Sequence, residues 1–165
     1  FGKAVAIGEN YAVVGAPQLD SGYGDYALAD IGMARVYEKT ASGWTFMEEL
    51  HPADQEENDY FGNSVAVAGD MIAIGSHGDN SSTGAVHLFE LQGSSWTEIQ
   101  KLTADDGAAG DQFGRTISFD GSSLIAGAYQ ADGGNGAAYV FVPEPATIGL
   151  LIIGLGGMIS RRRGA

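Results

Sequence analysis

The dipeptide Phe-Gly occurs at Phe1-Gly2, Phe61-Gly62 and Phe113-Gly114, and each occurrence opens the same series of landmarks. A second glycine follows 13 residues later in every copy: Gly2 to Gly15, Gly62 to Gly75, Gly114 to Gly127. A third glycine, at Gly32, Gly84 and Gly136, precedes the next apolar run, and only the first copy is longer here, by 8 residues. From that glycine to Trp44 or Trp96 is 12 residues, and from each Trp to the next Phe is 17. Constant spacing with the length variation confined to one polar loop marks a structural repeat, which constrains the fold more than composition can. A single sheet-forming unit of this size cannot bury both its faces, so the copies must stack on neighbours.

Each copy reads as four short strands bounded by Gly, Asn, Asp or Ser. The first covers Ala4–Ile7, Ser64–Val67 and Thr116–Phe119; the second Tyr11–Gly15, Met71–Gly75 and Ser123–Gly127. The third covers Ala34–Glu38, Val86–Glu90 and Ala138–Val142; the fourth Trp44–Leu50 and Trp96–Leu102. In the third strand, Val36, Leu88 and Val140 define one face, while Arg35, His87 and Tyr139 define the other beside Tyr37, Phe89 and Phe141. The body shows no helical period. Its 26 glycines, without a Gly-x-y period, suit many tight turns between short strands.

The expected fold is therefore all-β: propeller blades of four-stranded antiparallel sheets, a partial propeller in this chain, followed by a short hydrophobic C-terminal helix. The repeats run over about residues 1–60, 61–112 and 113–142, with a tail over 143–165. Propellers close with about 4 to 8 blades, and the third copy meets Pro143 before any fourth strand. The chain opens on Phe1, not Met. Further sequence is expected upstream, including a Trp-containing strand that would complete the last sheet.

Phe1-Gly2 followed by Gly15-Ala16-Pro17 resembles the FG-GAP repeat of integrin-α-type propellers, with later copies changed to Gly75-Ser76-His77 and Gly127-Ala128-Tyr129. The repeat-motif residues are thus Phe1, Gly2, Gly15, Ala16, Pro17, Phe61, Gly62, Gly75, Phe113, Gly114, Gly127 and Ala128. The resemblance covers about Phe1 to Val142 and implies a bladed propeller outside the cytoplasm, used for adhesion or ligand binding. Many such repeats hold calcium on an Asp-x-Asp-x-Asp-Gly loop. Here the corresponding turns are Gly8-Glu9-Asn10, Ala68-Gly69-Asp70 and Asp120-Gly121-Ser122. Ca²⁺ takes 6 to 8 oxygen ligands, so no metal and no cofactor are expected.

The tail begins with Pro143, Glu144 and Pro145, whose prolines end the preceding strand. An apolar run from Ala146 to Ile159 follows, carrying Ile148, Leu150, Leu151, Ile152, Ile153, Leu155 and Ile159, and then Ser160, Arg161, Arg162 and Arg163. As a helix these 14 residues would span about 21 Å, against a hydrocarbon core of about 30 Å. That is a marginal span, with snorkelling arginines as a cytoplasmic stop. The order Pro-Glu-Pro, apolar run, basic end resembles the PEP-CTERM sorting signal of Gram-negative bacteria. It implies export, recognition by an exosortase-type membrane enzyme, transient residence in the inner membrane, and release to the cell surface or extracellular matrix.

Formal net charge is -13, and three of the eight Lys and Arg stand together at the tail. An acidic body argues against nucleic acid, which needs clustered cations. The chain has no cysteine, excluding disulfides and thiol chemistry. His51, His77 and His87 fall at unrelated repeat positions and suggest no metal triad. No Gly-x-Ser-x-Gly elbow is present, and the chain reads as a non-enzyme. Asp54/Asp106 and Asp59/Asp111 recur, which points to carboxylates capping backbone N–H groups. Trp44 and Trp96 recur as packing residues. The non-repeating loops are the candidate ligand surface: Asp20, Tyr23, Asp25 and Tyr26 in the first, Asp79 in the second, Asp132 in the third. Tyr with Gly and polar residues is a composition of recognition surfaces, and an extracellular polysaccharide or protein is the expected ligand class. Two other readings stay open: a propeller enzyme with its site in upstream blades, and a matrix protein without a discrete ligand.

Overall fold

The computed structural model describes residues 1–20, 29–142 and 160–162, the last three by their backbone. The expected apolar helix lies outside these residues. Strands β1 (Ala4–Ile7), β2 (Tyr11–Ala16), β3 (Met33–Thr40) and β4 (Gly43–Leu50) form the first antiparallel sheet in that order. Strands β5 (Ser64–Ala68), β6 (Met71–Ser76), β7 (Ala85–Gln92) and β8 (Ser95–Leu102) repeat it, with the single turn α1 (Asp79–Ser82) between β6 and β7. The third sheet has β9 (Phe113–Phe119), β10 (Leu124–Ala128) and β11 (Ala137–Phe141), with α2 (Ala131–Gly134) between β10 and β11.

The fourth place in the third sheet differs from expectation. It is taken by β12 (Ser160–Arg162), which pairs Val140 with Ser160, Tyr139 with Arg161 and Ala138 with Arg162. The free edge of β11 offers backbone N–H and C=O groups to any extended segment, and the basic end of the chain supplies one.

The two complete blades match in detail. Register shifts occur between Val36 and Tyr37 against β4 and between Leu88 and Phe89 against β8, so the same bulge twists both outer strands. The recurring aspartates also match. Asp59 Oδ2 accepts the Glu56 N–H at 2.8 Å and Asp111 Oδ2 accepts the Ala108 N–H at 2.9 Å, the capping role expected of them. Asp54 and Asp106 act differently. Each leaves the connection after one blade and takes a side chain of the next: Lys101 Nζ donates to Asp54 and Tyr139 Oη to Asp106, both at 2.7 Å.

Each blade turns one face to the blade before it (its leading face) and one to the blade after it (its trailing face). Val13, Val36 and Leu50 on the trailing face of blade one pack with Phe61, Ile72, Ile74, Phe89 and Trp96 of blade two. Ala73, Val86 and Leu88 of blade two pack with Phe113, Leu124, Ala126, Tyr139 and Phe141 of blade three. The alternation of the third strand is thus used on both faces in the middle blade, where His87 and Leu88 are both fully buried. Trp96 meets Tyr11 of blade one edge-on at 5.1 Å, whereas its counterpart Trp44, on the open leading face of blade one, is 41% exposed.

The repeat motif locks these faces together. The backbone of Phe61 bridges to Gly32, and that of Phe113 to Gly84. Gly62 lies so close to Gly15, and Gly114 to Gly75, that a Cβ on either Gly15 or Gly75 would overlap the partner's carbonyl oxygen. Ser64 Oγ also donates to the Gly114 carbonyl at 2.7 Å. The Phe fills the gap between sheets and the two glycines let backbone meet backbone.

Candidate functional site

The loops joining the second and third strands recur at the same position in every blade, and in the first two blades their described residues are braced. Phe61 N–H donates to Ile31, and Tyr60 N–H to Asp30; in the next repeat Phe113 N–H donates to Thr83 and Gln112 N–H to Ser82. These two loops are therefore held, at the described residues before the third strand, by the connection into the following blade. The second loop folds tightly, with Asn80, Ser81 and Ser82 all at positive φ (47, 58 and 62°). Left-handed residues in succession are costly. Hydrogen bonds from Ser82 N–H to Gly78 and from Gly84 N–H to Asp79 close the turn.

The candidate ligand residues land unevenly. Tyr23, Asp25 and Tyr26 lie outside the described residues, as do Pro143, Glu144, Pro145, the apolar run from Ile148 to Ile159, and Arg163. Asp20 Oδ1 accepts the Asp30 N–H at 2.9 Å, closing its own loop. Asp132 is exposed at the head of the third loop, and its carbonyl accepts Asn135 Nδ2 at 2.9 Å.

Asp79 is the residue around which a site forms. It is buried, and it pairs with Lys101, which also holds Asp54. These three, with Glu56, Asn80 and Thr103, line a polar cleft of about 290 Å³. Burial draws the Lys101 ammonium down, but its hydrogen bonds to Asp54 and Asp79 outweigh this and hold it above the ordinary lysine value. For Asp54, burial is likewise outweighed by the Lys101 contact, which holds the carboxyl below its usual range. Beside them Glu98 accepts from His87 Nδ1 at 2.7 Å and from the Ala53 N–H at 2.9 Å. Those bonds lower its pKa against the upward pull of burial. Among the described residues no three His, Asp or Glu gather in metal-binding geometry.

Lys101 escaped the sequence reading, although it left a signal. Copy one has Glu49 at the same position, so Lys101 is a break in the repeat and a lone cation in an acidic surround. The three histidines differ in burial. His51 is exposed, but His77 is buried against Tyr60, with ring centroids 4.9 Å apart, and burial depresses it to about 4.

Asp59, buried beneath this cleft, is pushed from 3.8 up to about 6, first by burial and further by the charges of Asp79 and Glu56, against the Glu56 N–H. A carboxyl with a raised folded pKa supports the fold while protonated. That contribution is complete below about pH 4 and is lost as pH rises through about 6. Asn at this position can still accept the Glu56 N–H. Urea unfolding should therefore show the stability of Asp59→Asn, relative to the parent, improving by about 2 kcal/mol between pH 4 and pH 7.5. A difference that ignores pH would reject this role for Asp59, and using the difference cancels the opposite pH trend of His77.

Residues 44–89 and 96–141 both match the model of the FG-GAP repeat, together more than half of the chain. The chain belongs to the FG-GAP repeat family. The matched unit runs from the Trp strand of one blade to the third strand of the next, so it straddles the Phe-Gly lock instead of coinciding with one sheet. Residues 141–163 match the PEP-CTERM protein-sorting motif. No curated protein matches the chain. The two matches together make this an exported, cell-surface protein whose tail is addressed to an exosortase.

Proposed function

We propose that the chain is a non-enzymatic propeller module that binds or adheres at the cell surface or in the extracellular matrix, its tail serving as a transient inner-membrane handle. The observation that supports this is the arrangement of the loops between second and third strands. They carry the non-repeating residues and recur at the same position in successive blades, and in the first two blades their described residues next to the third strand are held by backbone hydrogen bonds from the next connection. Residues held in place beforehand lose less freedom on binding. The polar cleft at Asp79, Lys101 and Asp54 gives this surface a paired arrangement of charge suited to hydroxyl-rich or peptide ligands.

Co-sedimentation with extracellular polysaccharide prepared from the host tests the binding role. Replacing the segment from Asp20 to Asp30 by a short glycine linker, or Asp79 and Lys101 by alanine, should abolish retention, while unchanged retention in both variants would remove the loops from the binding surface. Sorting is tested separately. Changing Pro143, Glu144 and Pro145 to alanine in an exosortase-bearing host should move the chain from the surface fraction to the inner-membrane fraction, at least tenfold by immunoblot. An unaltered distribution would mean that processing does not act there.

A further inference from the structure

The residues flanking the inter-blade lock change their chemistry from copy to copy. Lys3, Asn63 and Arg115 follow the three Phe-Gly pairs, and Pro17, His77 and Tyr129 stand two residues beyond the second landmark glycine. Gly75 packs against the Gly114 carbonyl, so His77 and Arg115 leave one seam between blades two and three. Two of the five body cations, Lys3 and Arg115, thus share a repeat position in a chain with 21 acidic residues. The Asn63 side-chain amide donates to the Arg115 carbonyl at 2.9 Å, tying the equivalent positions of two blades together.

Arg115 is partly exposed and differs from the other body cations that make side-chain bonds. Arg35 and Lys101 each hold a carboxylate. Arg115 Nη1 instead donates to the neutral Gln112 amide oxygen at 3.0 Å, and no carboxylate among the described residues pairs with it. Its guanidinium stands over the Tyr129 ring, 5.4 Å from the centroid. His77 stacks on Tyr60, and its Nδ1 is buried without a partner in the protein. The adjacent Ser76 Oγ is also buried and unpartnered, where the other copies have Ala16 and Ala128. Buried polar atoms are nearly always hydrogen-bonded, so two orphans side by side call for an explanation. The charges of Arg115 and Lys3 both reach the His77 ring and add to burial in keeping it neutral.

We propose that Arg115, Lys3 and His77 form a second binding site, which takes the carboxylate of an acidic sugar. The inference rests on the reading of the loops between second and third strands as a binding surface, since His77 and Tyr129 open two of them. With Nη1 spent on Gln112, the Nε and Nη2 edge of Arg115 remains to give a carboxylate two parallel hydrogen bonds. Asn63 has spent its amide N–H and Gln112 its amide oxygen, which leaves one acceptor and one donor for ring hydroxyls. His77 Nδ1 supplies a third polar contact, and Tyr129 an aromatic ring beside them. The acidic body repels densely charged polyanions. The site therefore suits single uronate groups on a mostly neutral polysaccharide.

The test is NMR of the full chain in a non-ionic detergent, with ring-labelled histidine. Glucuronate is the probe, and glucose and acetate are the controls. The His77 signal is identified by its loss in His77→Phe. Glucuronate should move that signal saturably and raise its titration midpoint by about 1 unit, because a nearby anion favours the imidazolium. The His51 and His87 signals should stay in place. Glucose should have no effect, and acetate should require about tenfold more for the same response. Arg115→Gln should abolish the response and Arg115→Lys should retain part of it, with far-ultraviolet CD verifying both folds. Lys3→Gln, at an exposed side chain, should weaken it. An equal response to acetate would overturn the sugar assignment, and an equal response to glucose the role of charge. A full response in both Arg115→Gln and Lys3→Gln would overturn the site. No response to glucuronate would overturn this inference alone if host polysaccharide still co-sediments with the chain, and the binding role with it if none does.

Discussion

Gly75→Val is expected to cost about 3 kcal/mol in urea unfolding followed by far-ultraviolet CD, the upper part of the range for forcing atoms into a filled space. The reason is local. The added Cβ would overlap the Gly114 carbonyl, which belongs to another blade and is itself held by the Ser64 hydroxyl, so neither backbone can retreat. The same substitution at Gly127 is the control. There the only close atom is the Thr116 hydroxyl, which can rotate away, and the cost should stay within about 1 kcal/mol. Equal losses at the two sites would show that the motif glycine serves its own strand and not the contact between blades.

Phe61→Ala should be comparably damaging, at about 3 to 5 kcal/mol. Phe61 is fully buried, with His87 and Phe89 packed edge-on at 5.4 and 6.0 Å, and its removal empties the gap between two sheets. Phe1→Ala alters the same motif position, but Phe1 is 70% exposed. Its loss should fall within about 0.5 kcal/mol. A large effect at Phe1 would contradict the view that the aromatic ring draws its value from the preceding blade.

Most of the architecture could be read from spacing, because each landmark has a geometric duty. Phe61 and Phe113 are fixed by the gap they fill, Gly15 and Gly75 by the backbone they admit, and Asp59 and Asp111 by the N–H they cap. Residues with one local duty leave a periodic trace. The cleft was harder to see because its parts come from different repeat positions: Asp54 from one connection, Asp79 from a loop, Lys101 from an outer strand. Only the replacement of Glu49 by Lys101 between copies hinted at it. The pairing of Ser160–Arg162 with β11 was equally hidden, since a strand edge accepts any extended backbone and asks nothing of side-chain pattern.

The Phe-Gly lock also gives the stack a mechanical polarity. Every blade after the first inserts its motif into the one before it, so blade two is anchored upstream at Phe61 and covered downstream by blade three, while blade three is anchored upstream at Phe113. A load applied through the C-terminal tail reaches blade three first, and blade three is held by a single lock, at Phe113 and Gly114. The middle blade is held by two. Tension applied through the tail would thus peel the stack from its last blade, shedding one sheet while the inter-blade core around Phe61 stays closed. Such a stack would yield in steps, last blade first.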